Sequence, residues 1–75
     1  MVTIYSKTNC TSCEQAKMVL QSRGTTFDVK VLGKDYDMEF LMDELERVGL
    51  LGFRTFPLIV QGDKGYTFNT INEIV

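Results

Sequence analysis

Between Val2 and Val31 the sequence changes its hydrophobic period twice, and few folds accommodate that. Val2-Thr3-Ile4-Tyr5 is short, apolar and β-branched, as a buried strand is. Ala16, Val19 and Leu20 then recur at helical spacing within the amphipathic segment from Glu14 to Arg23, and Gly24 is placed to cap it. Phe27, Val29 and Val31 alternate with Asp28 and Lys30, the period-two pattern of a strand with one buried face. Strand, helix and strand in so short a span read as a βαβ unit with parallel pairing.

The only two cysteines stand at the first change of period, as Cys10-Thr11-Ser12-Cys13. With Cys10 as the N-cap and helix from Thr11, Cys13 occupies the third helical position and faces the same way, so the sulfurs can meet. The helix start offers unpaired N–H donors and a positive dipole end. Both favour thiolate over thiol, and thiolate is the species that attacks a disulfide. Cys13 shares the apolar stripe of Ala16 and Leu20, whereas Cys10 lies beyond it and is the exposed sulfur. Closing so short a loop stabilises a fold by only about 2 kcal/mol, against roughly 3 for a 15-residue loop. Reversible chemistry therefore fits this pair better than stapling does. Zinc needs four ligands, and with no His and no further Cys only a dimer sharing the ion could complete the set.

Gly33 to Asp35 reads as a turn, and from Tyr36 to Val48 the residues Met38, Leu41, Met42, Leu45 and Val48 form one apolar helical stripe. Phe40 falls on the other side of that helix, either as a scattered surface aromatic, the expected case, or as part of a contact patch. Leu58-Ile59-Val60 is a short β-branched strand, and Pro57 fits its first position, where no ladder donor is needed. Gly62-Asp63-Lys64-Gly65 is turn chemistry, with Tyr66-Thr67-Phe68 as the returning strand. Asn69 or Thr70 would cap a last helical turn that holds Ile71 and Ile74.

At 75 residues the chain has room for one domain, residues 1–75, expected to be monomeric. A net charge of −2 argues against nucleic acid, because phosphate binding needs a basic face. No run approaches a membrane span, and Met1 to Tyr5 lacks the charged start of a signal peptide, so the cytoplasm is the expected compartment. There a C-x-x-C is more often catalytic or metal-binding than structural.

Taken together, Tyr5-Ser6-Lys7-Thr8-Asn9-Cys10-Thr11-Ser12-Cys13 and Thr55-Phe56-Pro57 resemble the glutaredoxins, and the order of elements matches over nearly the whole chain. The resemblance implies an α/β thioredoxin-like fold, a four-stranded mixed sheet flanked by about three helices. It also implies dithiol–disulfide exchange, with Cys10 attacking and Cys13 resolving, and it makes Pro57 cis. Lys7 stands where the family has a lysine and would favour the Cys10 thiolate. Thr11, Ser12, Arg54, Thr55, Phe56, Pro57, Tyr66 and Thr67 would line the substrate groove, with Arg54 placed for substrate carboxylates. No organic cofactor or metal is implied for this exchange, although some glutaredoxins bridge an iron–sulfur cluster between subunits, which makes cluster carriage the rival class.

Two departures bear on the partners. Thr11 and Ser12 replace the family's Pro and Tyr between the cysteines, and its Gly-Gly pair with a following acidic residue is absent near Tyr66 to Thr70. Both point away from glutathione and toward the glutaredoxin-like redoxins of the NrdH type, which feed ribonucleotide reductase; small bacteriophage glutaredoxins vary in the same places. The expected partners are a disulfide-bearing protein such as ribonucleotide reductase and, as reductant, thioredoxin reductase or glutathione.

Overall fold

The computed structural model describes residues 2–50 and 56–74. The elements run β1 (Val2–Ser6), α1 (Thr11–Ser22), β2 (Phe27–Val31), α2 (Met38–Arg47), β3 (Leu58–Gln61), β4 (Lys64–Tyr66) and a closing 3-10 helix (Phe68–Glu73). The strands form one mixed sheet in the order β2-β1-β3-β4. β1 pairs β2 in parallel, Val2 with Phe27 through Ser6 with Val31, as the βαβ reading requires. β3 runs antiparallel to β1, Tyr5 against Leu58 and Val2 against Gln61.

Alternation along β1 and β3 divides the core between the two faces of the sheet. On one face, Val2, Ile4 and Ile59 meet Ala16 and Leu20 of α1 and Ile71 of the 3-10 helix, together with Ile74. On the other, Tyr5, Leu58 and Val60 meet Leu41 and Leu45 of α2. Side chains as deeply buried as Ile4 and Leu20 contribute roughly 1.5–3 kcal/mol each against leaving them in water. Gly65 is demanded by packing: a Cβ there would strike the Val48 side chain and come within 3.0 Å of Leu50 Cδ1, where α2 hands over to the hairpin.

The structure departs from the sequence reading in four places. Met38 and Met42 do not join the buried stripe of α2; they are 51% and 53% exposed, and Leu41 and Leu45 alone carry its buried face. The helix covers the sheet with a narrower arc than its apolar residues offer. Phe40 is not a scattered aromatic, because its ring lies 5.9 Å from Tyr5 and 6.4 Å from Tyr36, between centroids. The hairpin is tighter than expected: Gln61 pairs with Lys64 across Gly62-Asp63, with Gly62 at φ 63°, so β4 ends at Tyr66. Thr67 then caps the 3-10 helix, ahead of Asn69 or Thr70. Its hydroxyl accepts from Asn69 N at 3.2 Å, and the Thr70 hydroxyl accepts from Thr67 N at 2.9 Å. A threonine that can close a reciprocal cap is worth more there than as a strand residue.

Candidate active site

β1 delivers the chain at Ser6 to the end of the sheet where β3 begins, and both halves of the site gather there. Lys7, Thr8 and Asn9 form the approach, with Asn9 in the left-handed region at φ 56°, which asparagine tolerates better than most residues. That reversal turns Cys10 into the N-cap of α1 in an extended conformation (φ −115°, ψ 103°). Cys10 Sγ accepts a hydrogen bond from Cys13 N at 3.2 Å, one of the donors the first helical turn leaves unpaired.

The two cysteines are joined as a disulfide, with their Cα atoms 5.3 Å apart, the spacing that an N-cap and a third helical residue provide. Their surroundings differ sharply. Cys13 is 1% exposed against the core beneath α1, whereas Cys10 is half-buried and borders an open cavity of about 450 Å³ with Asn9, Thr11 and Glu14. A partner therefore has access to Cys10 and not to Cys13. Twelve residues of helix stand behind the pair, so their summed dipole favours negative charge at its start.

The cis peptide Phe56-Pro57 opens β3 at the same end of the sheet, with Pro57 buried and Phe56 half-buried against the core cluster of the α2 face. Lys7 Nζ lies over the Phe56 ring, 5.3 Å from its centroid. Ser6 is fixed from two sides: Leu32 N and the Tyr36 hydroxyl donate to its carbonyl at 2.9 and 2.7 Å, and its own hydroxyl donates to Lys30 O at 3.1 Å. Burial raises Tyr36 to about 12, with the nearby Tyr5 adding to the effect.

Of the residues singled out in the sequence, Lys7, Cys10, Thr11, Ser12, Cys13, Phe56 and Pro57 gather at this end of the sheet. Tyr66 pairs with Ile59 and packs against the core on the α1 face, and Thr67 serves as a cap. Arg54 and Thr55 lie outside the described residues. Sequence reasoning missed Tyr36, the prop under Ser6; its place just before the Asp37 cap of α2 was the available signal.

A solvent-accessible cysteine capping a helix, bonded to a buried cysteine one turn on, in a sheet of this order and beside a cis-proline edge, defines a dithiol–disulfide protein of the thioredoxin fold. Comparison with known proteins makes the assignment narrower. The family model described as Glutaredoxin matches residues 2–66. The glutaredoxin-like protein NrdH of Lactococcus lactis is 36% identical over 67 residues, covering 89% of this chain and 85% of its own. NrdH of Salmonella typhimurium is 28% identical over 76 residues, covering 97% and 86%. Among solved structures, glutaredoxin 1 of Francisella tularensis superposes with a TM-score of 0.74 at 23% identity, over 96% of this chain and 87% of that one. The Escherichia coli NrdH-redoxin, whose activity profile is described as thioredoxin-like, gives 0.64 at 23% identity, over 99% and 93%. The chain belongs to the glutaredoxin family. It is a thiol–disulfide oxidoreductase, and Cys10 and Cys13 are its redox pair.

Proposed function

We propose that the protein reduces disulfides in other proteins, with Cys10 as the attacking thiol and Cys13 as the resolving one, and that its reductant is thioredoxin reductase rather than glutathione. The observation that carries the assignment of roles is the contrast in access, Cys10 half-buried at a cavity and Cys13 at 1% exposure. In the reduced protein the Cys10 thiolate attacks one sulfur of the target disulfide. A mixed disulfide forms and the first target thiolate leaves. Cys13, deprotonated, then attacks Cys10 Sγ; the internal disulfide closes and the second target thiolate departs. Two electrons pass to the target, and the product is the state with Cys10 and Cys13 joined. The helix start supports the first step by favouring thiolate at Cys10. Main-chain groups of Phe56, at the mouth of β3, offer an edge on which an extended target segment can pair.

The choice of reductant rests on the departures from the family pattern and on the NrdH relatives. Thr11 and Ser12 stand between the cysteines, and Tyr66 and Thr67 occupy the place of the Gly-Gly approach. Tyr66 is half-buried against the core and Thr67 closes a cap, and neither supplies the close backbone approach that a Gly-Gly pair gives. By the same relationship the target is a protein such as ribonucleotide reductase; among the described residues no helix is long and apolar enough to cross a membrane. The test is reduction of the disulfide form by NADPH with thioredoxin reductase, beside reduction by glutathione with glutathione reductase. Turnover with the first and little with the second is expected. Efficient turnover with glutathione would overturn the choice of reductant.

A further inference from the structure

We infer that Lys7 is a positioning residue that acts through Phe56 on the edge where a target disulfide docks; this rests on the reading of Phe56-Pro57 as that edge. The pairing of β1 with β3 puts Tyr5 opposite Leu58 and Val2 opposite Gln61. Counted on two residues beyond the Tyr5–Leu58 pair, that register would bring Lys7 level with Phe56. Packing places the Phe56 side chain on the α2 face, the face of Tyr5 and Leu58. The Phe56 ring rests on that cluster and the Lys7 ammonium lies over it, 5.3 Å from the centroid. That distance is within the range in which an aromatic face attracts a cation.

Phe56 is the last residue before the buried Pro57, so whatever fixes its ring also fixes the main chain that leads into β3. Lys7 belongs to the approach to Cys10. One cation thereby ties the attacking segment to the docking segment. Among the described residues Lys7 makes no salt bridge or hydrogen bond, which leaves the Phe56 ring as its partner with the disulfide closed. Its closeness in sequence to Cys10 suggests thiolate stabilisation instead, and the two roles part experimentally. A thiolate role moves the Cys10 titration midpoint. A positioning role raises KM for a protein disulfide and depends on the ring.

The experiment measures insulin disulfide reduction, driven by dithiothreitol, for Lys7→Met, Lys7→Arg, Phe56→Leu and the double variant Lys7→Met/Phe56→Leu. Thiolate absorbance is titrated for each, and thermal denaturation checks that each is folded. An exposed cation–π contact predicts a rise in KM of about two- to fivefold for Lys7→Met. Phe56→Leu should raise KM at least as much, the double variant no further than Phe56→Leu, and Lys7→Arg should restore the parental value. The Cys10 midpoint should stay in place throughout. A Lys7→Met defect that multiplies with that of Phe56→Leu, or that follows a shifted midpoint, would overturn the inference. An unchanged KM in Phe56→Leu would instead remove the docking edge itself.

Discussion

Both long helices of this protein begin in the same way, and only one of the two starts is reactive. Asp37 caps α2 from an extended conformation (φ −118°, ψ 176°), and its Oδ1 accepts from Phe40 N at 2.9 Å. Cys10 caps α1 from an extended conformation too, and its Sγ accepts from Cys13 N at 3.2 Å. In each, the cap's side chain accepts from the backbone N–H three residues ahead. At α2 a carboxylate completes the cap and remains chemically inert. At α1 the same donors surround a sulfur, a poorer acceptor in the disulfide and a better-stabilised anion once reduced. A helix start becomes a redox site here through the atom placed in it and the buried thiol one turn on, while the cap residue itself keeps ordinary extended backbone.

The comparison breaks most visibly in activity. Cys10→Ser should abolish disulfide reduction, while Cys13→Ser should stop at the mixed disulfide and accumulate it, as intact mass of the protein–target adduct would report. Adduct building up in Cys10→Ser would exchange the two roles. At the other helix, Asp37→Ala should leave turnover unchanged and cost about 1 kcal/mol of stability, a fall in melting temperature of about 4–8 °C for a domain of this size. Lost activity at matched fold would show that the α2 start also serves the reaction.

Tyr36 joins the two starts, since it precedes the Asp37 cap and its hydroxyl holds the Ser6 carbonyl on the way to Cys10. Tyr36→Phe should cost about 1 kcal/mol, the usual net worth of one hydrogen bond, in denaturant unfolding at neutral pH. Because folding raises Tyr36 from 10.0 to about 12, its stabilisation is complete below pH 10 and lost as pH rises toward 12. Tyrosinate absorbance of the folded protein should show late titration that is reduced in Tyr36→Phe, with burial still raising Tyr5; titration of all tyrosines near 10 would remove this claim. The smallest effect concerns the cap alone. Serine is a good N-cap, so reduced Cys10→Ser should match the reduced parent within about 0.5 kcal/mol. A larger loss would mean that the thiolate itself stabilises the helix.

What could be read from the sequence followed from local rules. The cap at Cys10, the buried phase of Cys13, the parallel βαβ unit and the strand after Pro57 each depend on spacing within a few residues. Phe40 and the two exposed methionines were misplaced because period assigns a direction around a helix but not the width of sheet beneath it. The end of β4 was misplaced because Thr67 satisfies two rules, strand propensity and capping, and only tertiary context chooses between them. The contact of Lys7 with Phe56 joins residues 49 apart through tertiary packing, so Lys7 suggested its sequence neighbour Cys10 instead.

Arg23, just past α1, reaches across to the 3-10 helix and the residue that follows it. Its guanidinium donates to the carbonyls of Ile71 at 3.0 Å and Ile74 at 2.6 Å. Those oxygens close a 3-10 helix and have few partners of their own, so one side chain ties residues 68–74 to the far end of the cysteine-bearing helix. Opening of that final segment must therefore break charge-assisted bonds as well as withdraw Ile71 and Ile74 from the core. Its backbone amides should exchange with solvent deuterium in step with those of α1 rather than as a frayed end. The helix that carries the chemistry and the segment 68–74 thus share one opening event.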